Sequence, residues 1–132
     1  MATLEVTFPG GVAVDTTLNG HTIHTDQPAP QGAGSGPSPF ELFLASLATC
    51  AGFYALRFCQ QRQIATEGLR VTLETERDAA NPKHLARVRI AIATPGDFPE
   101  KYREAIVRAV DHCAVKRAIM EPPAFEVTVT SR

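Results

Sequence analysis

Basic residues are missing from the front of this chain: no Lys or Arg precedes Arg57. The formal net charge over 132 residues is only -1. So weak a field gives no hold on nucleic acid or an anionic membrane, and neither is an expected partner. The opening residues also lack a basic n-region and an apolar h-region, so no secretory signal is expected. Long apolar runs are absent too. The longest uncharged one covers residues 42–56, between Glu41 and Arg57. It falls short of the roughly 20 residues of a membrane span. These absences point to a soluble, cytoplasmic protein.

Closely spaced cysteines are lacking as well. The three cysteines stand at 50, 59 and 113, with no C-x-x-C. That leaves no support for a zinc ribbon or a thioredoxin-like motif. An odd number at wide spacing is no secreted disulfide framework either. The Pro/Gly/Ser stretch QPAPQGAGSGP (27–37) has neither the lysine of a phosphate loop nor dinucleotide-fingerprint spacing. It reads as a flexible connector. His21 and His24, three apart on one strand, face opposite ways. No metal or cofactor site is expected.

What is present is one domain's worth of chain, 1–132, with 44% apolar residues for a core. Alternation at Leu4, Val6 and Phe8, a second strand to Leu18, Asn19-Gly20 and a return over 21–25 predict a β-meander. Ser38, Pro39 and Glu41 fit the N-cap, first-turn and capping-box positions of a helix reaching about Gln63. Its first half is apolar on nearly every side, which predicts a helix buried all round and covered in part by a second subunit. Strands follow over 69–77 and 85–94. A second helix should be capped by Asp97, a short turn runs to Met120, and a last strand spans 125–130. The expected class is α+β, in the order βββ-α-ββ-α-β with a long buried central helix.

Cys50 sits mid-helix, sharing its side with Phe43, Leu47, Phe53, Tyr54 and Arg57. Cys113 lies on the apolar face of the second helix, near a helical restart at Ala114 whose positive end would favour a thiolate there. Lys116 and Arg117 add local charge. Either cysteine could equally be a small hydrophobe in a core. Cys59 is nine residues from Cys50, about 900° of rotation and roughly 13 Å of rise. The two cannot pair without unfolding the helix.

The stretch SGPSPFELFLASLATCAGFYALRF (35–58) resembles the OsmC/Ohr family, the osmotically inducible and organic-hydroperoxide-resistance proteins. HCAVKRAIM (112–120) resembles that family's second-cysteine segment. The resemblance covers essentially the whole chain. It implies an intertwined homodimer of α+β fold with the two long helices at its centre. It implies a thiol-dependent peroxidase that reduces organic hydroperoxides in oxidative-stress defence. Cys50 is then the peroxidatic residue and Cys113 the resolving one, with a dithiol such as a lipoyl group as reductant. The other reading is a non-peroxidatic redox sensor, or a module that binds small apolar ligands.

The chain departs from the family's pattern at three points. The activating N-terminal arginine is missing. The family's glutamate position holds Phe40, with Glu41 beside it, and Ala114 follows Cys113 where the family has proline. Glu41 is therefore the candidate carboxylate. Arg57 is the candidate cation, since helical side chains lean toward the N-terminus and seven residues rise about 10 Å. Arg57 in a surface ion pair is the competing reading.

Overall fold

The computed structural model describes residues 3–131. The chain forms two compact units, one up to Ala45 and one from Ser46 onward. In the first, β1 (Val6–Gly10), β2 (Ala13–Leu18) and β3 (His21–Thr25) make an antiparallel sheet in the order β1-β2-β3. Asn19 and Gly20 take φ of 50° and 79° between β2 and β3. That is the two-residue turn whose twist matches the strands, and it sets the register Leu18↔His21 and Asp15↔His24.

The stretch after β3 has no regular structure, but it is not a loose connector. The backbone bonds across itself: Asp26 N–H to Pro37 O at 3.1 Å, Gly32 to Pro28 at 3.0 Å and Gly34 to Gln27 at 3.0 Å. Gly32 is required by crowding, because a Cβ there would lie 2.3 Å from Gln27 O. Gly32 thus permits a close backbone approach.

Helix α1 spans Pro39–Gln61. The capping box forms: the Ser38 amide donates to Glu41 Oε1 at 2.9 Å, and the Glu41 amide donates to Ser38 Oγ at 3.2 Å. The helix ends two residues earlier than its pattern suggested. Gln63 enters the left-handed region at φ 55°, and Ile64 N–H reaches back to Cys59 O at 2.9 Å. That closure satisfies a terminal carbonyl and stops the helix. Because Glu41 and Arg57 lie inside α1 rather than at its ends, α1 is longer than the uncharged run. By length and composition it could cross a membrane.

In the second unit, β4 (Arg70–Arg77) and β5 (Leu85–Ala93) pair antiparallel, with Val71↔Ile92 and Leu73↔Ile90 in register. A 3-10 turn at Glu100–Tyr102 leads into α2 (Arg103–Asp111), and α3 (Ala114–Met120) follows. Asp97 does not cap α2. The 3-10 turn comes between them, and Tyr102 stands at the N-cap without a side-chain bond. The core gathers Ala51, Ala55, Phe58 and Cys59 of α1 with Phe98, Ile106 and Val110. Ile90, Ile92 and Val71 pack against it. Each large side chain buried here stabilises the fold by about 1.5–3 kcal/mol.

Within the single chain, Leu47, Ala51, Ala55, Phe58 and Cys59 of α1 form one covered stripe, while Phe53 stays 55% exposed. One expectation needs correction. Residues 125–130 do not form a strand: Phe125, Val127 and Val129 are 86%, 96% and 95% exposed. Alternation makes a strand only where an edge is available to pair with, and among the described residues none pairs with this segment.

Candidate active site

Helix α2 ends at Asp111, and Cys113 then turns extended, with φ -50° and ψ 132°. The chain restarts as α3 at once, so Cys113 is the N-cap of α3. The first amides of a helix have no partner within it. Here those of Ala114 and Val115 donate to the sulfur of half-buried Cys50, and the Cys113 thiol bonds to the same atom. Burial raises the Cys50 pKa, but the Cys113 S–H and the Val115 and Ala114 N–H groups outweigh it, and the net direction is downward. Cys113 moves the other way. Burial and its role as donor to Cys50 push its pKa up, against the Lys116 and Val115 amides.

The helix restart expected at Ala114 is therefore present, but its net benefit falls on Cys50 and not on Cys113. A residue aligned by α1 and a turn some sixty residues later had to meet for this to happen. All three cysteines are free thiols.

The other candidates have partners of their own. Arg57 Nη1 donates to Gln60 Oε1 at 3.4 Å, and the groups lowering the Cys50 pKa are Cys113, Val115 and Ala114. Glu41 holds the capping box, and the Ser38 amide foremost keeps its carboxyl below the usual range. Lys116 is held by Asp111 in an ion pair. Cys59 is in the core, where burial pushes its pKa up while nearby Arg62 opposes the shift. Among the described residues no group of three or more His, Cys, Asp and Glu is placed to hold a metal ion.

One polar cluster escaped the sequence reading. In the first unit, His24 Nδ1 lies 2.5 Å from Asp15 Oδ1, and His24 Nε2 lies 2.8 Å from Ser35 Oγ. Acid, imidazole and hydroxyl thus stand in the order of a hydrolytic triad. Ser35, however, gives its one hydroxyl proton to Asp26 Oδ2 at 2.7 Å. It cannot also give it to His24, so the cluster pins the loop to β3 and is no nucleophile site. Asp26 also accepts the Ser35 and Gln27 amides. Its pKa falls to about 2, through Ser35 above all. The signal was available: a two-residue turn at Asn19-Gly20 places Asp15 opposite His24.

The model of the family described as OsmC-like protein matches residues 32–128. The chain belongs to the OsmC/Ohr family. A crystal structure from Psychrobacter arcticus 273-4, described as an osmotic stress induced and detoxification response protein, is 26% identical. It has a TM-score of 0.73, with 89% of this chain and 88% of that one covered. An OsmC-like protein from Mycoplasma pneumoniae shares the fold at 16% identity and TM-score 0.71, covering 91% and 87%. An organic hydroperoxide resistance protein OsmC from Legionella pneumophila does so at 22% identity and TM-score 0.57, covering 90% of each chain. No curated protein matches the chain in sequence. The OsmC-like order of strands and helices accounts for α1 as a core helix, despite a composition that would also suit a membrane.

Proposed function

We propose that this OsmC-like protein is a thiol-dependent peroxidase that reduces organic hydroperoxides in a stress-related redox role. The observation that carries the reading is the Cys50 sulfur, which faces two helix-start amides and a second thiol. A thiolate is the nucleophile toward a peroxide. Cys50 attacks the outer oxygen of R–O–O–H. The O–O bond breaks, R–O⁻ leaves and takes up a proton as the alcohol, and Cys50 becomes a sulfenic acid. Cys113 then attacks that sulfur, water departs, and a Cys50–Cys113 disulfide forms. A dithiol such as a lipoyl group reduces it by exchange and is itself oxidised to a disulfide. The amides of Ala114 and Val115 do the work of the missing N-terminal arginine.

The reading extends to the assembly. Residues 1–132 act as one OsmC-like domain, since the family match runs across both compact units. Two copies form a homodimer that covers the open faces of α1 and gives Phe125, Val127 and Val129 an edge to pair with. The dimer works in the cytoplasm, where cysteines stay reduced. Arg57 and Glu41 support the site, Arg57 beside the substrate and Glu41 through the start of the helix that carries Cys50.

The test is peroxide consumption with a dithiol reductant, using cumene hydroperoxide. Wild type turns over, Cys50→Ser does not, and sedimentation at micromolar concentration gives twice the chain mass. Wild type consuming peroxide no faster than Cys50→Ser removes the enzyme reading in favour of a redox sensor or ligand-binding module.

A further inference from the structure

Between α2 and α3 the chain has only two residues, His112 and Cys113, and the ψ of 132° at Cys113 sets the direction in which α3 leaves. That direction brings the Ala114 and Val115 amides to the Cys50 sulfur. Hydrogen bonds weaken steeply as a donor turns off line, so a small swing of α3 loosens both.

A side-chain bridge crosses this turn. Asp111 is the last residue of α2, and Lys116 is the third of α3. Lys116 Nζ pairs with the Asp111 carboxylate and also donates to Asp111 O at 3.5 Å. The backbone amide of the same lysine donates to the Cys113 sulfur. Lys116 thus grips the end of α2 with its side chain and Cys113 with its backbone. The Asp111 carboxyl sits below its ordinary range, through Lys116 above all, and neighbouring His112 acts in the same direction.

Each charge is badly placed for its own helix. The free carbonyls at the end of α2 disfavour an anion there, and the free amides at the start of α3 disfavour a cation. The two charges suit only each other. Stability is a weak account of the pair, because exposed ion pairs add little, and the two side chains are 64% and 35% exposed. A direct pull of the Lys116 cation on Cys50 is a weak account too. The groups that lower the Cys50 pKa are the Cys113 thiol and the Val115 and Ala114 amides.

We infer that Asp111 and Lys116 are positioning residues for Cys50, a clamp across the α2–α3 turn that keeps the Ala114 and Val115 amides aimed at its sulfur. This role rests on the proposed reading of Cys50 as a thiolate nucleophile.

The experiment is the pH midpoint of iodoacetamide labelling of Cys50 in the reduced full-length chain, compared among wild type, Lys116→Met and Asp111→Asn. A clamp needs both partners, so both variants raise the midpoint. The rise is about half a unit, since an exposed pair transmits no more than its own small strength. The double variant raises it no further than either single one. Lys116→Arg keeps the pair and the wild-type midpoint. Charge acting directly on the sulfur gives opposite signs instead: loss of Lys116 raises the midpoint and loss of Asp111 lowers it. Opposite signs, or no shift in either single variant, overturn the proposal. So does a shift accompanied by labelling of buried Cys59, which marks a loosened core rather than a loosened turn. No peroxide enters the labelling. Wild type that ignores cumene hydroperoxide while both variants shift the midpoint removes the peroxidase reading and supports the clamp. Turnover with unshifted midpoints removes the clamp alone.

Discussion

Cys50 and Cys59 belong to the same helix, and burial raises the pKa of both, yet they end on opposite sides of an ordinary thiol. Cys50 meets two backbone amides and another thiol. Cys59 meets Phe58, Ile106 and Val110 in the core. Helical phase alone points them apart, and what lies opposite each decides its chemistry. Desolvation without a hydrogen-bond donor makes an inert thiol. The same desolvation with donors aimed at the sulfur makes a nucleophile.

The largest test of that contrast is removal of each sulfur. Cys50→Ser brings peroxide turnover to background. Cys113→Ser allows one oxidation and then stalls, with Cys50 trapped as sulfenic or sulfinic acid by mass spectrometry. Cys59→Ala leaves turnover intact. Mild peroxide treatment and peptide mapping find the Cys50–Cys113 link, and a dominant link through Cys59 breaks the contrast.

A second test reads the pKa directions. Iodoacetamide labelling of Cys50 against pH has its midpoint below the usual thiol value of about 8.5. In Cys113→Ser the midpoint changes, because the donor becomes a hydroxyl, while the Ala114 and Val115 amides still hold it down. Cys59 labels slowly at every pH until the protein unfolds. A Cys50 midpoint above the usual value would remove the amides as the activating groups.

A smaller effect is expected on stability. Cys59→Ala leaves a small cavity among well-packed side chains and costs about 1–2 kcal/mol by urea denaturation. Cys50→Ala, at a half-buried position, costs less.

The smallest effect lies in the other unit, where a polar cluster is used for structure alone. The pKa of Asp26 falls to about 2 in the folded chain, against an ordinary value near 3.8. The folded state therefore binds fewer protons there than the unfolded chain. The stability this confers is complete above about pH 4 and is lost as pH falls toward 2. Asp26→Asn lowers Tm at pH 7 and flattens the loss between pH 4 and 2, as thermal melts across that range would show. An unchanged acid profile would mean that the loop is held by its backbone bonds instead.

Much of this was legible in the residues themselves. Ser38 and Glu41 announced the start of α1, because capping is a local exchange of hydrogen bonds. Asn19-Gly20 announced the hairpin, because turn geometry sets strand register. The alternation of Val71, Leu73, Val88, Ile90 and Ile92 announced a two-stranded sheet with one covered face. Cys59 was separable from Cys50 by helical rotation alone. Each of these depends on neighbours within a few residues.

Tertiary structure decided the rest. The downward shift of the Cys50 pKa turned on the approach of Cys113, Val115 and Ala114, more than sixty residues away. That Arg57 shares a cavity with Ala105, Arg108 and Ala109 turned on where α2 lies. The alternating residues 125–130 carry a strand pattern and no strand, because pairing needs an edge that local pattern cannot supply. Propensity and capping act along the chain, whereas desolvation and hydrogen bonding to a buried sulfur depend on what folding brings from far away.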